Sequence, residues 1–193
     1  MKKFITMALA MMMALLMVAA SFTACKKNES NDKPGEISSA LSLLEKVWGA
    51  YGDEEKFSVI GGDSSAPGEM KEDAPGKFPL NADALKRVFV IPEAYVTKIE
   101  DAASISHMMN ANTFTAGAFR VASGTDMKSF ASELKVALQN NQWICGFPDK
   151  LAILSVEDYI VCAYGAEDLI DVFSAKVRTC YQDAKLLEEG AAS

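Results

Sequence analysis

Leu151-Ala152-Ile153-Leu154-Ser155-Val156 and Tyr159-Ile160-Val161-Cys162-Ala163-Tyr164 are two short apolar runs dense in strand formers, with only Glu157-Asp158 between them. Runs of this length joined so tightly predict a β-hairpin. A second hairpin is predicted upstream, where Ser104–Met109 and Thr113–Val121 flank the turn-forming trio Asn110-Ala111-Asn112. Between the hairpins, Met127, Phe130, Ala131, Leu134, Ala137 and Leu138 recur at helical spacing while Lys128, Ser132 and Lys135 take the opposite face, and Thr125 stands where an N-cap is expected. After the second hairpin, Glu167 and Asp168 favour a helix N-terminus, and Leu169, Phe173, Val177 and Cys180 continue an apolar stripe. Before the first hairpin, Ile37, Leu41, Leu44, Trp48 and Tyr51 mark another helix. A shorter one starts at Asn81, with Asp83 in its first turn and Leu80 and Leu85 at the positions of a hydrophobic staple, and ends before Pro92. Hairpins separated by helices predict an α+β two-layer sandwich, an antiparallel sheet with helices packed on one face.

The N-terminus reads as an export signal. Lys2 and Lys3 form a positive start, Phe4–Ala20 is apolar, and Ser21-Phe22-Thr23-Ala24 supplies small residues before Cys25. Phe22-Thr23-Ala24-Cys25 resembles a lipobox, the site at which a lipoprotein signal is cut and the cysteine acylated, with Phe22 in place of the usual leucine. The rival reading, a retained membrane anchor, has an apolar run of about 17 residues, at the lower edge of the ~17–25 that span a bilayer. The expected organisation is a signal peptide at 1–24, a lipidated Cys25 with a flexible tether to residue 36, and one domain over 37–187. The tether expectation rests on Lys26–Glu36, which contains no large apolar residue to bury.

The signal holds two of the 19 basic residues and none of the 26 acidic ones, which leaves the remainder at −9. Such a balance argues against nucleic acid or an anionic lipid surface as partner, since both need a basic face. Membrane attachment would come through lipid on Cys25, at the extracytoplasmic face. With Cys25 acylated, Cys145, Cys162 and Cys180 remain, an odd number that leaves at least one thiol unpaired in a monomer. Cys162 and Cys180 lie in apolar patterns and read as core residues.

Among the recurrent catalytic signatures, the phosphate loop, the Gly-x-Gly-x-x-Gly turn, His-Glu-x-x-His and the Gly-x-Ser-x-Gly elbow are all missing from the chain. His107 is the sole histidine and therefore the sole imidazole base available to a Ser-His or Cys-His mechanism. It reads as a half-buried strand residue whose neighbours Met108 and Met109 belong to the core. The alternative makes the three residues soft ligands for reduced copper, although successive strand residues point to opposite faces. Trp143-Ile144-Cys145-Gly146-Phe147-Pro148 reads as a tight loop with Trp143 and Phe147 covering the core edge, or else as a binding edge. A further alternative pairs Cys145 as nucleophile with His107 as base. No second cysteine follows Cys145 closely, so dithiol exchange is not expected. The Pro- and Gly-rich stretch from Gly61 to Gly76 predicts a long loop in which Asp63, Glu69, Glu72 and Asp73 are either solvated or oxygen ligands for calcium.

The strings His107-Met108-Met109-Asn110-Ala111-Asn112-Thr113-Phe114-Thr115, Asn141–Leu151 and Asp73-Ala74-Pro75-Gly76-Lys77-Phe78 resemble a group of small lipoproteins of unknown function from Gram-positive anaerobes. Some relatives in that group carry the label bacteriocin transport accessory protein. The resemblance implies location and fold and brings no activity with it. The expectation is a non-enzymatic, lipid-anchored extracytoplasmic module without cofactor or bound metal. It would bind a protein or small ligand, beside a transport or secretion system, in a cleft between the 61–78 loop and the Trp143–Pro148 turn. Trp143, Cys145, Phe147, His107 and Asp63 are the candidate binding residues. A Cys-His hydrolase or transferase and a soft-metal carrier are the alternatives.

Overall fold

The computed structural model describes residues 37–66 and 70–192. Cys25, with the signal and tether before residue 37, lies outside them.

The elements in chain order are α1 (Ala40–Gly49), β1 (Val59–Gly61), β2 (Lys71–Glu72), β3 (Gly76–Lys77), α2 (Ala82–Phe89), α3 (Glu93–Val96), β4 (Ile99–His107), β5 (Phe114–Val121), α4 (Met127–Gln139), β6 (Lys150–Val156), β7 (Tyr159–Gly165), α5 (Glu167–Cys180) and β8 (Lys185–Ala191). The fold is α+β: the strands form an antiparallel sheet in the order β2-β1-β4-β5-β7-β6-β8, with β3 on β4. Both expected hairpins are present. β6 and β7 meet at the pair Val156↔Tyr159, and Glu157 takes the left-handed conformation that the two-residue turn requires.

The helices lie on both faces of this sheet, which corrects the expectation of one. Along β7, Ile160, Cys162 and Tyr164 join one core cluster while Val161 and Ala163 join the other. A strand apolar at every position has no side to offer water, and each face needs its own helical cover. On one face the sheet presents small residues (Ala103, Ala116, Ala118, Ala152, Ala163), and Leu43, Leu44 and Val47 of α1 and Phe173 of α5 fill the space. On the other, Phe119, Ile153 and Ile160 meet Leu85 and Phe89 of α2 and Phe130 and Leu134 of α4.

Local signals explain most of the helix limits. Asn81 caps α2 by accepting from the Ala84 N–H at 2.7 Å, and the helix closes at Val90 in the left-handed conformation, two residues before Pro92. At the two staple positions, Leu80 is half-exposed while Leu85 is fully buried. The cap of α4 is Asp126, not Thr125: its carboxylate accepts from the N–H groups of Lys128 and Ser129, whereas the Thr125 hydroxyl donates back to the Ala122 carbonyl. The first hairpin is longer upstream than expected, and β4 ends at His107, which leaves Met108 and Met109 outside the strand.

Two further differences concern the margins of the sheet. The described residues of the 61–78 stretch are not a free loop, because they contribute β2 and β3 and Gly61 packs so closely on the backbone of Gly76 that a Cβ would run into it. Strand β8 carries the sheet past residue 187 to Ala191, and Ala192 is buried. Lys135 and Gln139 of α4 donate to the carbonyls of Glu189 and Ala191, which helps to close an edge that would otherwise invite pairing.

Candidate binding face

Register brings three connections to one end of the sheet. Phe114 at the start of β5 pairs with Gly165 at the end of β7, and Gly165 pairs with Lys150 at the start of β6. The β4–β5 turn, the α4–β6 connection and the entry to α5 therefore converge there.

The β4–β5 turn is held by its own side chains. Asn110 Oδ1 accepts from the Asn112 N–H at 3.0 Å, the Thr113 N–H donates to the Asn110 carbonyl, and Thr115 Oγ1 donates to the Ala111 carbonyl. His107 Nδ1 accepts the backbone N–H groups of Met109 at 3.2 Å and Asn110 at 3.4 Å, and its ring stacks on Phe57. With Nδ1 acting as acceptor, neutral His107 carries its proton on Nε2.

Asn110 and Asn112 also tie this turn to the α4–β6 connection. Asn110 Nδ2 donates to the Cys145 carbonyl at 3.1 Å, and Asn112 Nδ2 donates to the carbonyls of Ile144 and Gly146 at 2.8 and 3.0 Å. Cys145, at φ 65°, and Gly146, at φ 129°, both adopt left-handed backbone, and in Cys145 this is a conformation that costs a non-glycine residue about 1 kcal/mol or more. The turn thereby aims three successive carbonyls at the two asparagines.

The connection is anchored at its base and bare at its tip. Trp143 is half-buried, its ring 4.9 Å from that of Tyr164 and its indole N–H donating to the Ala192 carbonyl at 3.4 Å. Ile144 and Phe147 are 79% and 73% exposed, and on the facing turn Met109 is 83% exposed and Met108 41%. Trp143 and Phe147 are thus not exposed together, and the two methionines belong to the surface instead of the core. Between the turns and the start of α5 lies a depression of about 170 Å³, lined by Asn110, Asn112, Thr113, Phe147, Asp149 and Ala166.

Other candidates are placed elsewhere. Asp63 is buried, and its carboxylate accepts from Arg87 at 2.7 and 2.9 Å and from the Ser65 N–H and hydroxyl. Burial pushes this carboxyl up, but the Ser65 hydrogen bonds and the Arg87 guanidinium outweigh it and hold it below its ordinary value. The segment it belongs to is strapped to β4 by reciprocal bonds between Gly62 and Ser104 Oγ at 2.9 Å. Among the described residues no hydrogen bond joins 61–78 to 143–148, whose carbonyls are instead taken by Asn110 and Asn112. Glu69 lies outside the described residues; among those described, no three His, Cys, Asp or Glu side chains group to hold a metal ion. Nor does a hydrogen bond link Cys145 to His107 among them. Cys145 is exposed, whereas Cys162 is fully buried, with its thiol pushed up to about 12 by that burial.

No family model, curated protein or solved structure matches the chain. The role of Asn110 and Asn112 as ties is the feature that sequence reasoning missed. The trio marks itself as a turn, but the carbonyls it reaches lie 32 to 35 residues away.

Proposed function

We propose that the chain is a lipid-anchored extracytoplasmic binding module, held to the membrane through Cys25, and that its binding face is the pair of turns Met108–Thr113 and Trp143–Pro148. The observation that carries the binding reading is the exposure of Met109, Ile144 and Phe147 on turns that the asparagine ties fix in place. Large apolar side chains grouped on a pre-ordered surface favour association, because they bury apolar area with little ordering cost. The anchoring reading rests on the Phe22-Thr23-Ala24-Cys25 string at the end of an apolar run. Service beside a transport or secretion system is the setting that the family resemblance suggests.

The test is the double variant Ile144→Ser with Phe147→Ser. Both side chains are solvent-facing, so the thermal midpoint should stay within about 2 °C of the parent. A partner that co-purifies specifically with the parent from envelope extracts should be lost. A variant that unfolds, or one that keeps the same partner, counts against this face.

A further inference from the structure

The charge around the exposed apolar tips selects the kind of partner they fit. Asp149, Glu167 and Asp168 are all exposed at the depression or on the first turn of α5 that borders it, and none of them forms an ion pair among the described residues. Lys150, the basic residue next in sequence, is held by Asp171 at 2.6 Å and Glu189 at 2.7 Å and adds no free positive charge. The face therefore combines bare apolar side chains with unpaired carboxylates, on a chain whose part beyond the signal stands at −9. A second copy would bring the same carboxylates against themselves, and an anionic bilayer would meet them with like charge, both unfavourable. The described chain also enters the domain at the far end of the sheet, where the Ala40 N–H donates to Asp101 near the start of β4, about 20 Å along that strand from His107.

We infer that the occupant of this face is a basic peptide segment of a partner protein, one that offers lysine or arginine beside aliphatic or aromatic side chains. This inference rests on the binding reading above and adds the partner's charge to it. The apolar residues would cover Met109, Ile144 and Phe147, and the cations would meet Asp149, Glu167 and Asp168. Attraction between the two would speed encounter and weaken as salt screens it.

Two synthetic peptides of equal length test it, one alternating leucine and lysine and one alternating leucine and serine, titrated against the full chain held in nanodiscs of zwitterionic lipid. The Leu/Lys peptide should bind at least about tenfold more tightly at low salt, with the advantage shrinking as NaCl rises through a few hundred millimolar. Neutralising the face with Asp149→Asn, Glu167→Gln and Asp168→Asn should remove most of that advantage. Ile144→Ser with Phe147→Ser should abolish binding of both peptides. Equal binding of the two peptides would overturn the charge inference and leave the binding face standing. Binding of neither would overturn the inference, with the face itself then judged by the co-purification test. Self-association of the discs that disappears with Phe147→Ser would make a second copy the occupant and overturn it as well.

Discussion

The Asn112 side-chain amide donates to the Ile144 carbonyl at 2.8 Å, joining two turns 32 residues apart in the chain. The same amide reaches Gly146, so a single side chain fixes both flanks of Cys145. Asn112→Ala should free the 143–148 turn, with faster hydrogen exchange at Ile144–Phe147 and a loss of about 0.5–1.5 kcal/mol in stability. Asn112→Asp should be worse, because a carboxylate would face two carbonyl oxygens without a proton to offer. Unchanged exchange in both variants would mean that the turn holds itself.

The Asp63–Arg87 pair makes an acid-side prediction. The Asp63 carboxyl sits below its ordinary value of 3.8 in the folded chain, so its contribution to stability is complete above that pH and fades as pH falls through the folded value. Asp63→Asn should lower stability near neutrality by about 1–3 kcal/mol and flatten this part of the acid limb. Denaturant titrations between pH 2 and 7 read both effects; coincident curves for parent and variant would show that the carboxylate is not stabilising.

Thiol chemistry should separate the cysteines by burial. Cys145 is exposed and should react with an aromatic disulfide reagent in the native chain. Cys162, fully buried with its thiol pushed up to about 12, should react only on unfolding, and Cys180, half-buried and raised first by burial, should be slow. With Cys25→Ala in the background, a fast phase that survives Cys145→Ser would contradict this order.

Much of the fold is legible in the residues because its strands are local hairpins. Val156-Glu157-Asp158-Tyr159 and the Asn110–Asn112 trio announce their turns, and the spacing of Phe130, Leu134 and Leu138 announces α4. The number of layers is harder to read. Ile160 to Tyr164 are apolar without alternation, a pattern of two-sided burial, yet hairpins by themselves suggest a sheet with one wet face. Strand β8 escapes because Leu186, Glu188 and Glu189 show neither a run nor an alternation, and its pairing with β6 is a long-range event. Of the candidate face, one turn is legible and the other is not. The Trp143–Pro148 string stands out chemically, but its partner turn depends on which strand ends share an end of the sheet, which no local pattern encodes.

Anchoring has its own signature. If Cys25 is acylated, cells fed an alkyne fatty acid should label the parent chain and not Cys25→Ala, and the parent's N-terminal peptide should begin at a modified cysteine. An unlabelled parent that retains residues 1–24 would support the retained-anchor reading instead.

A photo-reactive phenylalanine analogue placed at 147 in living cells tests the binding face most directly, with the same probe at Leu80 as a comparison, since that residue is also exposed and apolar. A discrete, saturable adduct at 147, absent at 80 and lost when Asn110 and Asn112 are both changed to alanine, is the expected result. Adducts of the same pattern at both positions, or none at 147, would contradict the assignment of this face.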